Sequence, residues 1–344
     1  MPAFFALPAD WGRRHGHGLL LTAILAIVAL LLGHLLPWIG APVFGIVLGI
    51  AIRHTLAPGA AFDAGIRFGG RQILQWSIIA LGFGLSLVDV LRTGLESLSV
   101  TLVTITVAFV SAWALGRWLR VPGKLTVLIG VGTAICGGSA IAAVTPILKP
   151  DDHDTALAIS TIFLFNVAAV LLFPLLGHLL QMSDTGFGLW AGTAINDTSS
   201  VVAAGYAYSD LAGGYATIVK LTRSTLIIPI CLVLAVVMAA LAKRRSVAEA
   251  GSGGFRLGAL FPWFILWFLI ASGLRTAGWV PTAVLPVLQG LAEVLIVFAL
   301  SAIGLSANLR RMAAAGIRPI VLGLGVWVAV AASSLLVQYV SGQL

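Results

Sequence analysis

Apolar residues in this chain come in long runs, and polar residues collect in the short gaps between them. A helix rising 1.5 Å per residue needs about 20 residues to cross about 30 Å of hydrocarbon. Eleven runs approach or exceed that length, near residues 19–36, 38–52, 73–91, 98–116, 125–148, 155–180, 187–208, 213–242, 257–274, 282–306 and 317–340. The pattern predicts an all-α polytopic membrane protein of about 11 transmembrane helices, with residues 1–344 forming one transmembrane domain. The second run is short and carries Pro42, which predicts a half-helix. The first follows Arg13, Arg14, His15 and His17 as a signal peptide would, but no small-residue cleavage site follows it, so it reads as a retained helix.

Composition strengthens this picture. Of 344 residues, 60% are hydrophobic and 9% charged, against roughly 25% charged in soluble domains. So few charges cannot coat a soluble surface. In a soluble protein a formal net charge of +8 would suggest nucleic acid; in a membrane protein Lys and Arg are first of all topology signals, and no nucleic-acid partner is expected. With the N-terminus cytoplasmic, 15 of the 20 basic residues fall on the inner side. Three fall outside (Arg92, Lys149 and Arg275) and two lie within a span (Lys220 and Arg223). The stretch Lys243 to Arg256, KRRSVAEAGSGGFR, reads as a flexible cytoplasmic linker between the eighth and ninth runs. Cys136 and Cys231 both lie in apolar stretches, so no disulfide framework is expected.

Intramembrane polar residues persist only where protein or water satisfies them, so they mark candidate sites. The fifth run contains GVGTAICGGSAI from Gly130 to Ile141, and the seventh contains GTAINDTSSV from Gly192 to Val201. Gly132, Thr133, Ala134, Ile135, Ser139 and Ala143 recur as Gly192, Thr193, Ala194, Ile195, Ser199 and Ala203, at a constant offset of 60 residues. Glycines and hydroxyls in mid-span make a poor continuous helix. Unwound segments there would expose helix N-termini, which bind anions. Thr133, Cys136, Gly137, Gly138, Ser139, Asn196, Thr198 and Ser199 are therefore candidate substrate-binding residues. Close helix packing through small residues is the competing explanation for the fifth run, and a weaker one for the more polar seventh.

Lys220 and Arg223 lie three residues apart, on one helical face, and suit a small oxyanion or carboxylate; snorkelling to headgroups is the competing explanation. Asp197 and Glu293 are the two acidic residues deep in a run and are candidate coupling residues for a proton or cation. A fainter echo links Gly84-Leu85-Ser86 with Gly304-Leu305-Ser306 on runs of opposite direction, as an inverted repeat would. The 60-residue match is awkward if both runs cross the membrane, because they would then point the same way. Either site chemistry converged, or one segment is a re-entrant hairpin. No HExxH, GxSxG, nucleotide-binding or metal-ligand motif is present, so neither an enzyme nor a cofactor is expected.

The runs GTAICGGSAIAAVTPILK (132–149), WAGTAINDTSSVVAAG (190–205), KLTR (220–223) and LGFGLSL (81–87) together resemble a bacterial inner-membrane family, the UPF0324-type proteins named for proposed sulfate export. That family is similar, distantly, to the bile acid/sodium symporters and cation/proton antiporters. The resemblance covers nearly the whole chain. It implies inverted repeats, discontinuous helices crossing at a substrate site, and an inner-membrane location. The family commonly has His before the acidic residue of the second motif, where this chain has Asn196 before Asp197. The expected function is secondary transport of a small anion such as sulfate, with coupling to protons or cations through Asp197. The partners are the anion and membrane lipid, and a homo-oligomer is compatible with both. A passive channel or holin-like regulatory membrane protein is the alternative.

Overall fold

The structure is a computed structural model; it describes residues 9–36, 41–227, 229–231, 233–234, 236–237, 263–307 and 316–343. The stretch read as a linker, 243–256, lies outside the described residues. The described chain is helical, without strands: α1 (Ala9–Leu35), α2 (Ala41–Thr55), α3 (Ala60–Phe68), a π-helical turn (Gly69–Ile73), α4 (Leu74–Gly82), α5 (Leu87–Glu96), α6 (Leu98–Trp118), α7 (Gly123–Ala134), α8 (Gly138–Leu148), α9 (Asp152–Leu179), α10 (Asp184–Ala194), α11 (Thr198–Tyr208), α12 (Asp210–Thr225), α13 (Trp263–Thr276), α14 (Leu285–Ser306) and α15 (Ile317–Ser341). Among the described residues, five helices are long and apolar enough to cross a membrane, namely α1, α6, α9, α14 and α15. The third predicted run is shifted. The helix runs from Ala60 to Gly82 and then bends by 108° into α5, because Gly84 and Ser86 interrupt the apolar run and α5 is amphipathic, with Asp89, Arg92 and Glu96. Apolar faces turned outward, as in Leu91 and Leu95, suit a helix lying at the interface.

The chain forms two compact units. The first comprises Met1–Val90, Val202–Asp210 and Phe264–Asn308. Small residues let its helices touch backbone to backbone, as membrane bundles require in the absence of a hydrophobic drive between helices. A methyl on Gly18 would fall on the Phe62 carbonyl where α1 crosses α3, and one on Gly49 would lie 2.6 Å from the Ser301 oxygen where α2 crosses α14. Gly70 lies against Ile303 and Gly84 against Gln289, so the helix ending in the first Gly-Leu-Ser run is antiparallel to α14, which carries the second.

The second unit comprises Leu91–Val201, Leu211–Trp263 and Leu309–Leu344. Its organisation bears on two of the eleven predicted runs, the fifth and the seventh. The Lys124 ammonium, at the start of α7, donates to the Lys149 carbonyl at the end of α8, 2.6 Å away. Helices of 12 and 11 residues reach about halfway across the hydrocarbon, and here they return to the side they left. The fifth run is a re-entrant hairpin, folded back where Gly132 lets Ile141 pack onto α7.

The seventh run behaves in the same way. Gly188 packs against Ala212 and Tyr215, and Gly192 against Ala216 and Val219, so α10 and α12 run side by side in one direction. Between Ala194 and Ala212 the chain has therefore come back to the level of Gly188, and α11 is the returning arm. A 26-residue hairpin is as long and apolar as a span, which is why hydropathy alone counts both as crossings.

Candidate functional site

Each hairpin places a pair of helix ends at its tip. The arriving helices α7 and α10 end there with carbonyls that have no partner along the helix, and the departing helices α8 and α11 begin there with unpaired amides. At the first tip Gly137 turns the chain with φ +68° and ψ −128°, a conformation open to glycine. Its amide closes back on the Gly132 carbonyl at 2.9 Å. A Cβ on Gly137 would sit 3.4 Å from Cβ of Asp197, so the two tips touch.

Lys220 and Arg223, both fully buried on α12, account for the carbonyls of the arriving helices. The Lys220 ammonium donates to the Ile135 carbonyl at 2.8 Å and to that of Ile195 at 2.9 Å. Arg223 donates from Nε to Ala134 (2.7 Å), from Nη2 to Thr133 (2.6 Å) and from Nη1 to Thr193. Every orphan carbonyl at the end of α7 is thereby satisfied: Val131 and Gly132 accept from main-chain amides, and Thr133, Ala134 and Ile135 from the two cations. Cations at helix C-termini also meet the negative ends of both macrodipoles. An ammonium has three N–H donors and a guanidinium five, so one on Lys220 and two on Arg223 remain beyond these bonds. Snorkelling to headgroups is ruled out, because both heads point to the tips.

The starts of the departing helices are more open. Ser139 is exposed and Gly138 half-buried at the head of α8; Asp197 and Thr198 are half-buried at the head of α11, with Asn196, Ser199 and Ser200 buried. Asp197 caps α11: its Oδ2 accepts from the Ser199 amide at 3.1 Å and from the Ser199 hydroxyl. Asn196 is 1% exposed, and neither its Nδ2 nor its Oδ1 has a protein partner. Cys136 is a buried free thiol in the first tip. The Thr133 hydroxyl bonds to its own helix at Ile129, so this residue contributes its carbonyl rather than its side chain.

The structure thus gathers Thr133, Cys136, Gly137, Gly138, Ser139, Asn196, Asp197, Thr198, Ser199, Lys220 and Arg223 at the meeting of two hairpins. Glu293 is an exposed residue of α14 in the first unit. Sequence reading missed Asn166 on α9, whose Oδ1 accepts from the Asp197 amide at 3.2 Å. The signal was there, a lone amide in the apolar stretch ISTIFLFNVAAVLLF.

An all-α polytopic membrane protein with two touching broken segments, held by buried cations, is the class these features define. The chain belongs to the family described as "Conserved hypothetical protein 698", which it matches over residues 17–323. It is 39% identical to a UPF0324 membrane protein of Clostridium tetani over 341 residues, covering 96% of this chain and 99% of that protein. It is 40% identical to a UPF0324 membrane protein of Fusobacterium nucleatum over 346 residues (95% and 98%), and 44% identical to one of Streptococcus pyogenes over 329 residues (93% and 96%).

Proposed function

We propose that this protein is a secondary transporter of a small oxyanion, sulfate or a related sulfur oxyanion, carried outward across the bacterial inner membrane with the N-terminus cytoplasmic. The observation that carries the proposal is the meeting of the α8 and α11 N-termini beside two fully buried cations. Taking about +0.5 and −0.5 for helix N- and C-termini, two cations, two N-termini, two C-termini and the Asp197 carboxylate sum to about +1. A proton on Asp197 raises that to about +2, the complement of a dianion. Anion binding and proton uptake then favour one another, which is how Asp197 couples protons to transport. Lys220 and Arg223 act mainly by holding the arriving helices and by their field, with their spare N–H groups as direct contacts.

The test is counterflow of labelled sulfate into proteoliposomes preloaded with unlabelled anions, comparing wild type with Ser139→Asp. An acidic residue in the first turn of α8 favours the helix, so folding is preserved, while the carboxylate occupies the anion's place. Saturable exchange whose apparent KM rises at least about tenfold in the variant supports the reading. Flux that neither saturates nor shows counterflow would indicate a passive channel instead.

A further inference from the structure

We propose that Asn166 is a substrate-binding residue of this site, presenting its Nδ2 as an obligatory hydrogen-bond donor to the oxyanion; this rests on the transporter reading above. Asn166 is 2% exposed, and its Oδ1 is committed to the Asp197 amide. That bond fixes which end of the amide is which, since only the oxygen can accept from an N–H. The Nδ2 is therefore held at the head of α11, buried and without a protein partner. A buried amide donor left unmade is destabilising, and the Asn196 amide, wholly unpartnered, lies in the same break. Two unsatisfied amides beside two helix N-termini form a donor-rich cradle. A fully deprotonated tetrahedral oxyanion, which only accepts, matches it.

The repeat gives independent support. Ile162 of α9 packs on Gly132 of the first hairpin as Val219 of α12 packs on Gly192 of the second. One turn beyond each contact stand Asn166 and Arg223. Both reach across to the other hairpin, Arg223 to the α7 carbonyls and Asn166 to the α11 amide. Where the second repeat needs a cation to meet carbonyls, the first carries a neutral amide with a donor to spare.

The experiment measures sulfate-dependent melting of the full-length purified protein and sulfate counterflow, for wild type, Asn166→Asp and Asn166→Ser. The Asp side chain keeps the shape and still accepts from the Asp197 amide but replaces the donor by an acceptor. Anion-free melting within a few degrees of wild type, with apparent sulfate affinity down at least tenfold, is the expected result. Unchanged affinity in Asn166→Asp overturns the assignment. If that variant fails to fold, Asn166→Ser decides by the same criterion, a hydroxyl accepting from Asp197 but too short to replace the Nδ2 donor. A wild type unaffected by sulfate, sulfite, thiosulfate and phosphate in both assays overturns the transporter reading and this inference together. A wild type that responds alongside an equally responsive variant overturns the inference alone.

Discussion

Replacing Arg223 by Ala should damage the fold before it damages anion binding. The variant strips partners from three buried carbonyls, those of Thr133, Ala134 and Thr193, which belong to two different hairpins. Interhelical hydrogen bonds in membranes average about 0.6 kcal/mol, and leaving a buried group unsatisfied costs about 1–3 kcal/mol. Three carbonyls therefore set a loss of about 2–9 kcal/mol, against a total stability of about 5–15 kcal/mol. Lys220→Ala frees two carbonyls, Ile135 and Ile195, and should cost less. The two native cysteines, both buried and unpaired, supply the assay, because a thiol-reactive fluorophore labels them as the protein unfolds. At roughly 2–4 °C per kcal/mol, Arg223→Ala should melt at least about 4 °C below wild type, with Lys220→Ala between them. An Arg223→Ala protein that melts like wild type and loses only sulfate affinity would refute the clamp and return the guanidinium to the role of principal ligand.

Three further outcomes follow from the geometry. In a background with Cys136 and Cys231 replaced by Ser, single cysteines at Lys124 and Lys149 should react with a membrane-impermeant thiol reagent from the same face, and those at Gln181 and Asp210 from the opposite face; labelling of either pair from both sides would sink the re-entrant topology. Gly137→Ala, forced into a φ of +68°, should lose about 1–3 kcal/mol and melt lower, whereas Gly123→Ala, with open space around it, should melt like wild type. Counterflow of sulfate should carry protons with it, and Asp197→Asn, which removes the carboxylate at the head of α11, should abolish that co-transport; proton movement unchanged by the substitution would remove Asp197 from coupling.

Much of the site was legible in the sequence because its chemistry is locally encoded. Gly137-Gly138-Ser139 and Asn196-Asp197-Thr198 cannot continue a helix cheaply in hydrocarbon, and both segments do break. Lys220 and Arg223 share a face, as their spacing requires. Their partners were not legible, since helix-end carbonyls exist as acceptors only once α7 and α10 have stopped. Re-entrance of one segment was an open alternative from the 60-residue match but was not decided there, because hydropathy measures the apolar length of a segment and is blind to its direction. One clue lay in charge, in Lys149, which an eleven-crossing scheme places on the outer side. In the hairpin it sits beside Lys124, so that a topology with the N-terminus cytoplasmic would count it with the inner-side basic residues, 16 of the 20, and leave Arg92 and Arg275 outside. Asn166 belongs to no motif, and only its isolation among apolar residues marked it.

The same geometry resolves the 60-residue repeat. A hairpin returns to its starting side and contributes no crossing, while the helix after it contributes one. The first repeat, α7 to α9, is thus one hairpin plus one crossing, an odd total, and the second copy, α10 to α12, must enter from the face opposite the first. Two copies inserted as parallel spans would align their macrodipoles and put both positive ends toward one face. Two hairpins entering from opposite faces bring all four helix ends together, with carbonyls facing Lys220 and Arg223 and amides facing Asn166 and Asp197. The sequence similarity between the tips then follows from their sharing one task, a sharp turn where the two hairpins meet. The differences fall where the copies divide the remaining work: Cys136-Gly137 against Asn196-Asp197 within the tips, and Asn166 against Arg223 on the helices behind them.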